Sequence, residues 1–176
     1  MKINRREIFI VIIFAPLWQF FTTVVHELGH AAVMLYYGGT ISEFSIFGPD
    51  AYVSSWGAEF TPFGEALLHL SGTLLPCIIV IIIFLLYKRR AKSIAYHLCH
   101  VLILLSTILS LLPWVVYPIM SLFKSLPKDE DMAQLISVTG ENPLVVAAFA
   151  LVTIVAFVIF VVKTGVFSRI REFKRD

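Results

Sequence analysis

Residues 8–37 read IFIVIIFAPLWQFFTTVVHELGHAAVMLYY. The segment is apolar for longer than the roughly 20 helical residues that cross a bilayer. Its second half nevertheless contains the polar sequence His26-Glu27-Leu28-Gly29-His30. Ionisable residues inside a membrane span are energetically costly and are usually functional. This stretch therefore predicts both a membrane helix and a chemical site within that helix.

Three further apolar segments are long enough to span a membrane, at residues 66–87, 94–120 and 143–162. Hydrophobic residues make up 59% of the chain and charged residues 15%, a balance typical of proteins whose solvent is lipid. Residues 38–62 are rich in glycine, serine and aromatic residues around a Gly-Pro-Asp turn, which predicts a β-hairpin at the membrane interface. We therefore expect an all-α integral membrane fold, a single domain over residues 1–176, with four transmembrane helices and a short interfacial β-hairpin between helices 1 and 2.

The basic residues predict the orientation in the membrane. Twelve of the 14 lysines and arginines precede the first span, separate the second from the third, or follow the fourth. Only Lys124 and Lys128 fall on the other side. Because cytoplasmic loops carry an excess of Lys and Arg, both termini are expected in the cytoplasm, in a protein of the cell membrane. The hairpin and the acidic loop after the third span then face outward.

His26 and His30 are four residues apart, so a helix presents both imidazoles on one face. Two neutral imidazoles suit Zn²⁺, which in catalytic sites takes a third protein ligand and keeps a position open for water. Zinc lowers the pKa of that water, and Glu27 lies beside the histidines to take its proton as a general base. The HExxH pattern thus predicts a zinc hydrolase site, with three interfacial polar residues lacking a metal as the alternative.

The depth of the site follows from helix geometry. Ile8 precedes His26 by 18 residues, or about 27 Å of helix. Because the hydrocarbon core of a bilayer is about 30 Å thick, the site is expected near the outer boundary. The hairpin that follows is well placed to cover it.

Depth also limits the choice of a third ligand. His97 and His100 begin the third span on the cytoplasmic side, nearly a membrane thickness from His26, so we expect them to be ordinary packed histidines. Glu65 and His69 lie at the outer start of the second span. They could support the ligands or face the substrate, or they could simply form a hydrated helix end.

The loop after the third span supplies carboxylates at the correct level. Asp129, Glu130, Asp131 and Glu141 could each complete a set of two histidines and one carboxylate. Asp131 is the preferred candidate and Asp129 the next. Capping of a short helix that begins after Asp131 is the alternative explanation for this residue.

Other site types are not indicated. Cys77 and Cys99 lie in apolar segments and form no CxxC pair, so they are expected to be packing residues. The chain has no basic stripe with interleaved aromatic residues, which argues against a nucleic-acid partner. Nothing in the sequence predicts an oligomeric state.

Residues 26–31, placed late in an apolar helix and followed by Gly38-Gly39, resemble the site-2-protease group of intramembrane metalloproteases, peptidase family M50, and most of all its M50B-like branch. The similarity extends over about residues 8–145. Residues 70–76 stand where that group has a Gly-Pro-x-x-Asn-like signature, of which only the glycine is kept. The group takes its third ligand from a later aspartate, commonly in an Asp-Gly pair. No Asp-Gly pair occurs here, and Asp131 is the best counterpart.

The resemblance implies a zinc metalloprotease that hydrolyses peptide bonds in or near transmembrane segments of other proteins. Its expected partners are the lipid bilayer and a membrane-protein substrate, which the hairpin could bind as an added strand. Characterised relatives often open their site towards the cytosol, whereas the charges here predict the outer side. Two other functions fit the same residues: a zinc hydrolase with a lipid-like substrate, and a non-proteolytic protein such as a metal-binding chaperone or a pseudoprotease partner.

Overall fold

A computed structural model describes residues 4–47, 51–124 and 130–173 of the chain. In chain order these residues form α1 (Arg5–Tyr36), β1 (Thr40–Ser45), β2 (Tyr52–Trp56), α2 (Pro62–Leu85), α3 (Ile94–Leu111), α4 (Pro113–Ser121), α5 (Asp131–Thr139), α6 (Pro143–Thr164) and α7 (Val166–Phe173).

Four helical segments are long and apolar enough to cross a membrane: α1, α2, α6 and the pair α3 and α4, which run on from one another. This confirms the predicted four-helix integral membrane fold. Pro113 divides the third span into two helices because its backbone nitrogen has no hydrogen to donate. The second span begins four residues earlier than predicted, since the hydroxyl of Thr61 caps it by accepting the N–H of Gly64 at 3.1 Å.

The predicted β-hairpin is also present. Strands β1 and β2 pair antiparallel, with an irregularity between Ile41 and Glu43. The register pairs Thr40 with Trp56, Ile41 with Ser55, Glu43 with Ser54, Phe44 with Val53, and Ser45 with Tyr52. The predicted turn at residues 48–50 lies outside the described part of the chain.

The hairpin turns back alongside α1. Phe47, just after β1, stacks on Phe20 of α1 with ring centroids 5.7 Å apart. Phe20 precedes His26 by six residues, which is about 9 Å along a helix. The hairpin therefore extends past the level of His26, deeper along α1 than the surface position expected from the sequence.

Two clusters of buried apolar side chains join the helices. The larger unites α1, α2, α3, α6 and α7 through Trp18, Val80, Phe84, Ile103, Leu104, Phe157, Val161 and Val166. The smaller docks α5 against α4 and α6 through Trp114, Met132, Leu135 and Ala150. The smaller cluster matters for the site because α5 begins at Asp131.

Helix α7 was not predicted from the sequence. It follows Gly165, whose φ of +83° ends α6 in a left-handed conformation that glycine adopts readily. Val166 is fully buried in the larger cluster. On the polar face of α7, Arg169 donates to Glu172 at 2.6 Å. The helix is amphipathic and too short to span a membrane, so the length of an apolar segment does not predict it.

Candidate metal centre

Helix α1 presents His26 and His30 on one face. Their Nε2 atoms lie 3.1 Å apart, and the ring centroids are 4.8 Å apart. The spacing of four residues, slightly more than one helical turn, accounts for this approach.

Asp131 supplies a third donor atom from another part of the chain. Its Oδ2 lies 3.2 Å from the Nε2 atom of His26 and 3.2 Å from that of His30. The three atoms therefore form a nearly equilateral triangle. Tetrahedral zinc with bonds of about 2.0–2.1 Å separates its donor atoms by roughly 3.3 Å. The spacing of the three donors fits a zinc ion.

The hydrogen bonding of His30 also fits a metal ion. Its Nδ1 lies 2.7 Å from the carbonyl oxygen of Leu68, which can only accept, so Nδ1 carries the proton. In the neutral ring the lone pair is then on Nε2, which faces an oxygen of Asp131. Such a pair of electron-rich atoms is stabilised either by a proton on Nε2 or by a metal ion at the three donors. Metal-binding histidines are commonly held in this way through their second nitrogen.

The other candidate carboxylates are placed differently. Glu130 is the N-cap residue of α5 and lines the cavity that His26, His30 and Asp131 also border. Glu141 lies after α5 and is exposed. Of the described carboxylates in this loop, Asp131 alone reaches the two imidazoles. Asp129 lies outside the described residues.

Helix α2 packs directly beneath the imidazoles because two glycines allow it. A Cβ atom on Gly72 would lie 2.7 Å from Nε2 of His26, far inside van der Waals contact. A Cβ atom on Gly29 would lie 2.7 Å from the carbonyl carbon of Ser71. Both positions exclude a side chain, so the glycines bring α1, α2 and the donor atoms together.

Glu27 is buried beside the donors, with 5% of its surface exposed. It borders the same cavity as His26, His30 and Asp131. Burying a carboxyl group in a membrane helix costs free energy, and such groups are usually functional. Its position suits a group that exchanges protons with a molecule held at the three donors.

The cavity has a volume of about 1130 Å³ and is large enough for a peptide segment. Strand β2 contributes Tyr52 and Val53 to its wall. Helix α1 contributes Gln19, Thr22 and Thr23, which extend the polar lining on the N-terminal side of His26. The donor atoms therefore lie in a partly polar cleft that one hairpin strand borders.

His69 of α2 contacts the other oxygen of Asp131. Its Nδ1 lies 3.7 Å from Oδ1, and the residue is 7% exposed. Burial alone would raise the pKa of the Asp131 carboxyl, but the nitrogens of His26, His30 and His69 hold that pKa well below its usual range. The carboxylate therefore stays ionised, as a metal ligand must.

The remaining histidines lie away from the donors. His97 is fully buried, with Nδ1 2.7 Å from the hydroxyl of Tyr87 and Nε2 3.0 Å from the carbonyl oxygen of Ala91. Nδ1 of His100 donates to the carbonyl oxygen of Tyr96 at 2.7 Å. The bonds of His97 tie the start of α3 to the connection before it, and the bond of His100 lies within α3, as expected for packed histidines.

Glu65 is also separate from the centre. It is exposed in the first turn of α2 and is not among the cavity residues. The sequence gives no indication of Leu68, because this residue contributes through its backbone and so leaves no trace in residue type.

The family model of Peptidase M50B-like proteins matches residues 8–113, more than half of the chain. The chain belongs to this family. It is therefore an integral membrane protein of a membrane-protease family. The match covers α1, the hairpin, α2 and α3 and ends before α5, so it is shorter than the similarity expected from the sequence and does not include Asp131. No curated protein and no solved structure matches the chain.

Proposed function

We propose that this chain is a zinc-dependent intramembrane endopeptidase that hydrolyses peptide bonds in or near transmembrane segments of other proteins. The observation that carries the proposal is the triangle of His26 Nε2, His30 Nε2 and Asp131 Oδ2, with buried Glu27 beside it. Membership of the Peptidase M50B-like family supports the same conclusion.

In this proposal the three donor atoms hold Zn²⁺. A zinc ion bound there would polarise the scissile carbonyl and acidify the attacking water molecule. Glu27 would accept the proton of that water and pass it to the amide nitrogen that leaves. The Leu68 carbonyl fixes the ring of His30, so that Nε2 rather than Nδ1 would be the atom that binds the ion.

The substrate would bind in extended form. A transmembrane helix pairs its own backbone groups, so its scissile bond becomes accessible only after local unwinding. Tyr52 and Val53 place β2 along the cavity wall. We propose that the unwound segment pairs with β2 as an added strand, which would align its backbone with the donor atoms.

The orientation is part of the same proposal. Residues 1–176 would form a single domain in the cell membrane, with both termini in the cytoplasm and the site near the outer face. The distribution of lysines and arginines supports this arrangement.

The test compares purified wild type with Glu27→Gln, using a transmembrane peptide in detergent or nanodiscs. We expect wild type to cleave the peptide, chelation to stop cleavage and zinc to restore it. Glu27→Gln should lose about 10²- to 10⁴-fold in rate while keeping one zinc per chain. Glu65→Gln, an exposed glutamate outside the cavity, is the matched control and should cleave normally.

Three results would overturn the proposal. Full activity of Glu27→Gln would remove the general base from the mechanism. Zinc-dependent hydrolysis of lipid without cleavage of any peptide would assign a lipid-like substrate. Stoichiometric zinc without hydrolysis of either would assign a binding function, such as that of a chaperone or a pseudoprotease partner.

A further inference from the structure

One turn of α2, residues 68–72, lies against the residues that supply the donor atoms. The Leu68 carbonyl accepts from His30, and Gly72 leaves room for both imidazoles. Between them, His69 turns its Nδ1 atom towards Oδ1 of Asp131. The same turn therefore contacts donors from both α1 and α5.

We propose that His69 is a positioning residue for Asp131: its imidazole engages Oδ1, so that Oδ2 is presented to His26 and His30 and the carboxylate binds the metal through one oxygen. This inference rests on the proposed zinc site. It assigns to His69 no contact with the substrate and no bond to the metal.

The first support is the division of labour between the two carboxylate oxygens. Oδ2 lies 3.2 Å from both ligand imidazoles, whereas Oδ1 lies 3.7 Å from His69. At 3.7 Å, Nδ1 and Oδ1 face each other at slightly more than hydrogen-bond distance. Each oxygen thus faces a different helix, and rotation of the carboxylate would break both sets of contacts.

The second support is the burial of His69. The residue is 7% exposed, and buried polar groups in proteins nearly always have a partner. Among residues 4–47, 51–124 and 130–173, the recorded polar contact of this ring is the one with Asp131. Packing alone would not require the ring nitrogen of His69 to face a carboxylate oxygen.

The third support is the start of α5. Its N-cap residue, Glu130, makes no side-chain capping hydrogen bond. The first turn of this nine-residue helix is therefore not fixed by its own cap. Within the described residues, the ion-pair contacts of the Asp131 side chain come from His26 and His30 of α1 and from His69 of α2.

The test measures metal binding by purified full-length protein, with zinc affinity taken from competition with a chromogenic chelator and ligand geometry from the absorption spectrum of Co²⁺-loaded protein. We expect His69→Ala to bind one zinc at saturation with an affinity about 10- to 100-fold lower, and to change the cobalt spectrum. His69→Asn should recover most of the affinity, because its amide nitrogen can take the place of Nδ1. His100→Ala removes another histidine that is 7% exposed and should leave affinity and spectrum unchanged.

Each contrary result has a distinct meaning. Unchanged affinity and spectrum in His69→Ala would overturn the inference and leave the zinc site intact. Complete loss of zinc at saturation in His69→Ala would identify His69 as a metal ligand instead. Failure of His69→Asn to recover affinity would show that an N–H group facing Oδ1 of Asp131 does not position the carboxylate. Absence of zinc from the wild type itself would overturn the proposed function together with the inference.

Discussion

A methyl group at position 72 tests whether the close approach of α2 sets the donor geometry. In Gly72→Ala the new Cβ would lie 2.7 Å from Nε2 of His26. Ordinary contact between such atoms needs about 3.5 Å, so the imidazole or the helix must move by at least roughly 0.8 Å, and Nε2 of His30 lies closer still to the new Cβ. Zinc sites hold their ligand distances within about ±0.2 Å. We expect zinc affinity to fall by about 100-fold or more.

Stability should change much less than metal binding. Overpacking costs about 1–3 kcal/mol, and replacing glycine by alanine inside a helix regains up to about 1 kcal/mol. The matched control is Gly64→Ala, also in α2, whose Cβ would lie 2.7 Å from ring and hydroxyl atoms of Tyr37, away from the donors. Without zinc, both variants should unfold at similar temperatures in detergent, and with zinc present only Gly72→Ala should fail to bind it.

The assay is zinc content per chain after equilibration against a zinc buffer, measured together with thermal unfolding of the zinc-free protein. One zinc per chain at wild-type affinity in Gly72→Ala would refute the argument, because the imidazoles would then tolerate a side chain beneath them. Equal loss of zinc in Gly64→Ala would attribute the effect to general destabilisation.

Three further predictions concern the third donor and the helix ends. Asp131→Asn should lower zinc affinity by more than about 100-fold, whereas Glu141→Gln should not; equal zinc content in the two variants would move the third ligand elsewhere. Burial raises the pKa of Tyr87 to about 12, so its hydroxyl stays protonated and donates to Nδ1 of His97. Tyr87→Phe should therefore destabilise the protein by about 1 kcal/mol without changing zinc content, and lost zinc would contradict this separation. Glu7 accepts the first backbone N–H of α3 at 3.1 Å, so Glu7→Ala should cost about 1–2 kcal/mol in thermal unfolding, and an unchanged unfolding temperature would show that this cap contributes nothing.

Features that depend on residues close together in the sequence were predictable. Apolar length located the four spans, and the spacing of His26 and His30 was enough to place both imidazoles on one face of a helix. The third donor was harder, because Asp131 follows His30 by about a hundred residues and no local periodicity relates them. Depth and ligand chemistry reduced the choice to a few carboxylates, but only the packing of α5 distinguishes Asp131 from Glu130.

Features created by helix contacts were not predictable. Gly72 was recognised as a retained glycine, yet its reason, the imidazoles directly above it, appears only when α1 and α2 are in contact. The return of the hairpin along α1 includes a contact of Phe47 with Phe20, a pair that hydropathy cannot identify. In each case the missing information was which faces touch.

The contacts around Trp114 explain how a short helix outside the spans can supply a donor to a site within them. Its Nε1 atom donates to the hydroxyl of Thr73 at 3.0 Å, one residue from Gly72, which ties α4 to the turn of α2 beneath the imidazoles. Met132 and Leu135 of α5 belong to the same buried cluster as Trp114. A metal ion held by donors from α1 and α5 would therefore close a ring of contacts, and its binding would favour the docked position of α5. At a free zinc concentration 100 times the Kd this linkage amounts to about 2.7 kcal/mol, comparable to the burial of one large apolar side chain.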